Sequence, residues 1–189
     1  MRRPTVILIS GFARTGKDTL GAALLDLLPH SRKVAFADSL KAAGNLFLER
    51  LNLHGMADLN RESDKFRFRD FLVAGGKMAR ALDPDVFADK AAYEAKLNLL
   101  AGRCVVMPDW RYPNELIAVQ TKCAPYHVVT VRLHRESTGP ANEEEAVHMA
   151  QIEDTCRVDH EASFKSGETG AIRDLAYVIA SAIPDINAA

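Results

Sequence analysis

The sequence predicts an α/β fold: a five-stranded parallel sheet with helices on both faces, a helical insertion and a lid. Three observations carry that reading. Short apolar runs recur between helical stretches along the 189 residues, as a parallel sheet covered by helices requires. The first run, Val6-Ile7-Leu8-Ile9-Ser10, passes straight into a glycine-bounded loop and then a Leu/Ala-rich helix. Hydrophobic residues make up 48% of the chain and charged residues 26%, a mixture able to fill the core of one domain spanning 1–189.

The elements follow in order. Strands are expected near 5–10, 33–36, 103–107, 126–133 and 161–164. A helix from Lys17 to about Leu28 stops at Pro29, whose ring cannot continue it. A second helix, from Ser39 to about Leu53, follows Asp38 as its expected N-cap, and Gly55 to Asn60 reads as a loop. Helical periodicity returns from Ser63 to Leu82, breaks at Asp83-Pro84-Asp85 and resumes to about Leu100. Residues 38–100 thus form a mostly helical excursion between the second and third strands. Pro113 is placed to open a helix after the third strand. The segment 134–160, with Gly139-Pro140 and Glu143-Glu144-Glu145, reads as polar and mobile, a natural lid over a phosphate site. A last helix spans about Ala171 to Ile183.

Composition excludes several classes. A net charge of −1 gives no global pull toward nucleic acid or membrane, so any anion site must be a local gathering of Lys and Arg. Cys104, Cys123 and Cys156 form no CxxC pair and suggest neither a disulfide framework nor a zinc site. The opening Met-Arg-Arg-Pro-Thr leads into an apolar run too short for a signal peptide or a membrane span. A cytoplasmic protein is expected, in the host cytoplasm if phage-encoded, with no stable nucleic-acid partner.

The loop Gly11-Phe12-Ala13-Arg14-Thr15-Gly16-Lys17-Asp18-Thr19 carries most of the chemistry. Two glycines five positions apart with a lysine after the second match the P-loop pattern, in which backbone N–H groups converge on a polyphosphate. Gly11, Ala13, Arg14, Thr15, Gly16, Lys17, Asp18 and Thr19 are the expected nucleotide-binding residues. Lys17 reaches the β- and γ-phosphates as a mobile point charge. Asp18 stands where that loop usually has the Ser or Thr that meets Mg²⁺. A carboxylate there would repel phosphate without an intervening cation, so Asp18 reads as a Mg²⁺ ligand, direct or through water. Thr19 then meets the α/β-phosphates. The plainer alternative is an acidic residue favoured at any helix N-terminus.

Arg103-Cys104-Val105-Val106-Met107 delivers Asp109 and Arg111 to the carboxyl edge of the sheet, beside the glycine loop. Asp109 is suited to hold Mg²⁺ through water or to accept a proton, and Arg111 can fork onto a phosphate. Alternatively, the two form a salt-bridged turn that opens the helix at Pro113.

The Gly-x-x-Arg-x-Gly-Lys-Asp-Thr loop, the Phe36-Ala37-Asp38-Ser39-Leu40-Lys41 segment and the Asp109-x-Arg111-x-Pro113-Asn114-Glu115 turn together resemble the phage-type deoxynucleoside monophosphate kinases. The resemblance covers most of the chain in order, thinly between motifs. It implies ATP and Mg²⁺ as cofactors and a deoxynucleoside monophosphate as the phosphoryl acceptor. It places Asp38, Lys41, Arg69, Lys77, Arg80, Arg111, Asn114 and Glu115 around that acceptor. It makes Lys17, Asp18, Asp109, Arg111 and Arg132 the catalytic set, with Asp18 and Asp109 toward metal and Arg132 and Arg135 supplied by the lid. It is compatible with a homodimer. A glutamine usual beside the first arginine of the acceptor helix is missing; Val73 and Ala74 stand there.

Two rivals share the shape. One is a kinase for another acceptor, a phosphomevalonate-like acid or a hydroxymethylated base in DNA. An aromatic pair at Phe66 and Phe68 would favour a base, and a wholly basic pocket a compact phosphorylated acid. The other is a nucleotide-binding ATPase switch, which would need neither the Asp109/Arg111 turn nor lid arginines.

Overall fold

The computed structural model describes residues 2–185. Five strands, β1 (Thr5–Ser10), β2 (Arg32–Lys33), β3 (Val105–Trp110), β4 (His127–Arg135) and β5 (His160–Phe164), form one sheet in the order β2-β3-β1-β4-β5. Every neighbouring pair is parallel. Among the described residues, the helices are α1 (Lys17–Leu27), α2 (Asp38–Arg50), α3 (Glu62–Arg67), α4 (Arg69–Leu82), α5 (Val86–Leu100), α6 (Pro113–Cys123), α7 (Glu143–Thr155) and α8 (Thr169–Ala182).

β1 is the central strand, and all six of its residues are buried. Its side chains alternate between two cores. Val6 and Leu8 pack with Val105, Met107, Trp110 and residues of α5 and α6, while Ile7 and Ile9 pack with Leu20, Leu24, Ala176 and Ile179 of α1 and α8. A strand walled on both faces has no solvent side, which is why its sequence is continuously apolar. Each fully buried Leu or Ile here contributes about 2–3 kcal/mol of apolar transfer. β1 pairs Ser10 with Trp110 on one side and Arg132 on the other, so the loop after it emerges between β3 and β4.

The structure departs from the sequence expectation in particular places. β2 is only two residues long; Val34, Ala35 and Phe36 extend it as buried chain, and the Phe36 and Ala37 N–H groups turn to Asp109 instead of to a strand. Asp38 is the first residue of α2 and not its cap: one carboxylate oxygen accepts from the Ala35 N–H and the other from Lys41. The helix expected over 63–82 is two helices broken at Phe68, whose ring packs on a small separate core of Leu48, Ala57 and Leu59. β4 runs through Arg135, so Arg132 and Arg135 lie within the strand and do not follow it.

The largest difference is α7, where a mobile segment was expected. Asn142 caps it by accepting from the Glu145 N–H, and the Glu145 carboxylate accepts in return from the Ala141 N–H. That reciprocal pattern is close to a capping box. Met149 and Ile152, one helical turn apart, anchor the helix in the core shared with β1 and β3. Within the described residues, no helix is long and apolar enough to cross a membrane.

Candidate active site

Where β1 ends, Gly11 adopts φ 141° and Gly16 φ 100°, both left-handed values that favour glycine. Gly16 is the N-cap of α1 and supplies no side-chain cap, so the first N–H groups of that helix are left for an anion. The turn is held from within: the Thr15 hydroxyl donates to the Phe12 carbonyl at 2.9 Å. Ala13, Arg14, Asp18 and Thr19 are exposed along its outer side.

Lys17 folds over this loop, with Nζ donating to the carbonyls of Gly11 (2.6 Å) and Phe12 (2.5 Å). Burial, and next the Arg111 guanidinium, lower its pKa to about 8; Glu145, Asp18 and Asp109 oppose that shift. Arg111, Asp109, Asp18 and Glu145 thus all act on the charge of this lysine. Arg111 is exposed, and its backbone N–H, with that of Tyr112, donates to Glu115.

Asp109 sits at the end of β3, next to the core, and burial raises its pKa. Its two oxygens accept from the Phe36 and Ala37 N–H groups, each at 3.1 Å. The carboxylate thereby ties the chain after β2 to the β3 edge, and the salt-bridged turn with Arg111 does not form. Asp18 is the better metal candidate. Its carboxylate is 90% exposed in the first turn of α1, and its nearest cation is Lys33 Nζ at 3.6 Å. One or two carboxylates with substrate phosphates suffice for Mg²⁺. Asp18 fits that requirement directly, and Asp109 fits it only through water. Among the described residues, no group of three or more His, Cys, Asp or Glu side chains could hold a metal by itself.

The acceptor residues divide. Arg80 lies between two rings, its guanidinium carbon 4.4 Å from the Tyr112 centroid and 4.9 Å from that of Phe87. Lys77 pairs with Glu144 at 2.9 Å, and the Tyr112 hydroxyl donates to the same glutamate at 3.4 Å. His148 packs on Tyr112 with centroids 4.4 Å apart. Asp38 and Lys41 pair at 2.8 Å beside Asp109. Arg69 opens α4 as an exposed residue, and among the described residues no hydrogen bond or ion pair joins it to this cluster.

Two residues expected at the acceptor make their contacts within the fold. Glu115 is 3% exposed, and burial raises its pKa to about 8; it caps α6 by accepting from Arg111 and Tyr112 and faces no open space. Asn114 donates to the Pro84 carbonyl and to Asp85, joining α6 to the start of α5.

The two arginines assigned to the lid point to opposite faces of the sheet. Arg132 is buried against α7, 2.8 Å from Glu153 and 4.0 Å from Glu161, with its Nε–H unpaired. Arg135 donates to the Arg14 carbonyl at 2.9 Å and to the Ser166 hydroxyl, joining the glycine loop to the turn after β5. Tyr112, Glu144, Glu145 and His148 were not expected in the site. A concavity of about 520 Å³ between Arg3, Tyr126, His127 and Pro184 opens at the opposite edge of the sheet and shares no residue with this cluster.

No protein-family model and no curated protein matches the sequence. Among solved structures, the chain is similar to a candidate kinase from Chloroflexus aurantiacus, with a TM-score of 0.50 at 14% identity, covering 97% of this chain and 100% of that one. At that identity the likeness speaks for the fold. With five parallel strands in the order 2-3-1-4-5 and a glycine loop after the central strand, the chain has a P-loop NTPase fold.

Proposed function

We propose that this chain is a kinase that transfers the γ-phosphoryl group of ATP to a deoxynucleoside 5′-monophosphate, giving the diphosphate and ADP. One observation carries the reading: β1 and β3 are paired through Ser10 and Trp110, so the glycine loop with Lys17 and the turn with Arg111 leave neighbouring strands beside the uncapped start of α1. Like charges brought together this way are stabilised by a polyanion between them.

In this reading the loop N–H groups and Lys17 bind the polyphosphate, and Lys17 leaves the Gly11 and Phe12 carbonyls to do so. Asp18 would hold Mg²⁺, which when bound neutralises charge on the β- and γ-phosphates. The acceptor lies toward Lys77, Arg80 and Tyr112, and Arg111 stands between the two phosphates to be joined. A phosphate oxygen is already a nucleophile, so catalysis is positioning and charge stabilisation and needs no general base. Arg135 is placed to sense the nucleotide, since it links the loop to the turn after β5.

One observation favours a second acceptor class. Phe66 is 79% exposed while Phe68 packs into the small core, so the two do not form a stacking pair for a base. A compact phosphorylated acid is therefore the second reading, with the same donor site. A coupled ADP-release assay with ATP·Mg²⁺ against deoxy- and ribonucleoside monophosphates and phosphorylated acids separates the two. Turnover with one acceptor class, lost in Lys17→Ala, supports the kinase reading and names the class. Slow release that no acceptor stimulates refutes it and leaves an ATPase switch.

A further inference from the structure

The first turn of α7 holds three consecutive glutamates, and the helix accounts for only two of them. Glu143 is exposed in the first turn, where a negative charge is favoured. Glu145 returns to the Ala141 N–H and closes the cap. Glu144 makes neither bond: its carboxylate leaves α7 and reaches Lys77 of α4 at 2.9 Å and the Tyr112 hydroxyl at 3.4 Å. Lys77 and Tyr112 are contributed by separate elements, and Arg80 stacks on the same tyrosine ring. An ammonium and a hydroxyl from two elements on one carboxylate are donors that a phosphate or carboxylate ligand would use. The hydrogen bond from Lys77 holds Glu144 below the usual carboxylate range, so it stays ionised.

We propose that Glu144 is an internal occupant of the acceptor's anion site: its carboxylate holds the place of the acceptor's anionic group, and the acceptor must displace it from Lys77 and Tyr112. This rests on the kinase reading for the word acceptor, but the anion site and its occupant stand on the contacts alone. The device makes the affinity of an anionic acceptor a difference between two ion pairs and so selects ligands of higher charge than a carboxylate. It also couples acceptor binding to α7, because the Lys77–Glu144 pair is a tie between the first turn of that helix and α4.

The test is equilibrium binding of inorganic phosphate, by calorimetry at low salt, to the full chain and to Glu144→Gln, Glu143→Gln and the double variant Glu144→Gln/Lys77→Met. Glu144→Gln keeps an oxygen for Lys77 and Tyr112, and the side chain is half-exposed, so the fold is retained. The expected result is phosphate binding about two- to fivefold tighter in Glu144→Gln, as removal of a competing like charge at an exposed pair gives. That gain should vanish in the double variant and be absent in Glu143→Gln, which changes net charge equally. Unchanged or weaker binding in Glu144→Gln overturns the proposal, as does a gain that survives loss of Lys77. A merely structural latch would lower thermal stability without tightening phosphate, and that outcome refutes it too. None of these readouts uses ATP or turnover, so a failure of the kinase reading is visible separately.

Discussion

Gly11→Ala puts a methyl group where the sheet and the loop leave no room. With φ at 141°, residue 11 lies in a region that L residues rarely adopt. The added carbon would come well under 3.0 Å from the Leu133 carbonyl oxygen and from the Thr15 hydroxyl. The carbonyl is the decisive neighbour. It belongs to β4, which is paired with β1, and Leu133 is itself buried, so it retreats only if the sheet opens. The disfavoured φ costs about 1–3 kcal/mol and the forced shift of a packed backbone about as much again. A central figure is roughly 4 kcal/mol, which in a chain of this size lowers the melting temperature by about 8–16 °C.

Gly55→Ala and Gly139→Ala provide the reference, since a methyl group at either meets nothing within 4 Å and neither has a positive φ. Gly16→Ala falls between them: φ is 100°, but the neighbour is the movable end of the Ile172 side chain. Urea and thermal unfolding without nucleotide rank the four, so the result does not depend on any reading of function. A Gly11→Ala variant within about 1 kcal/mol of Gly55→Ala would refute the loop geometry.

Two further predictions concern buried charge. Burial raises Glu115 from 4.5 to about 8, so between those values the folded chain keeps a proton that the unfolded chain has lost, and this carboxyl's contribution to stability falls as pH rises through that window. Glu115→Gln keeps the acceptor for the Arg111 and Tyr112 N–H groups without the titration. It should gain on the parent by on the order of a few kcal/mol between pH 5 and pH 8.5 in urea unfolding, and a gap that does not widen disproves the assignment. At Arg132, the two halves of one pair should differ: Glu153→Ala leaves a buried guanidinium with only Glu161 at 4.0 Å and costs about 1–3 kcal/mol, whereas Arg132→Met leaves an exposed Glu153 in water and costs under about 1 kcal/mol. Equal losses in denaturant titrations would show that the cation is not held where its burial indicates.

The sequence made β1, the glycine loop and α1 legible because each is specified locally: an apolar run, two glycines at the needed spacing and a Leu/Ala helix. The parallel pairing of the sheet followed from the same strand–helix alternation, whereas the order of its strands did not. The break at Phe68 was not legible, since no proline or glycine marks it and the cause is a small core assembled from α2 and the loop after it. α7 did carry a local signal in Asn142 and Glu145, but the acidic run and Gly139-Pro140 outweighed it as marks of a loop. Roles set by long-range pairing were beyond local reading. Glu115 looks like a substrate residue until the structure shows it capping α6, and Arg132 looks free until Glu153 arrives from α7. Tyr112 escaped notice because its importance lies in what stacks on it, Arg80 on one side and His148 by contact.

The way each cation is satisfied separates the structural ones from those available to a ligand. Lys122 with Asp89, Lys41 with Asp38 and Arg132 with Glu153 are cancelled by a full negative charge. Lys17, Arg80 and Arg135 are held instead by carbonyls, aromatic faces and a hydroxyl. Dipoles and π faces orient a cation and meet its hydrogen-bonding needs without removing its field. A chain of net charge −1 can therefore keep Lys17, Arg80 and Arg135 free of a direct carboxylate partner. Lys77 is the exception, since Glu144 cancels it in full. That contrast supports a donor site ready for polyphosphate beside an acceptor site whose own carboxylate must first give way.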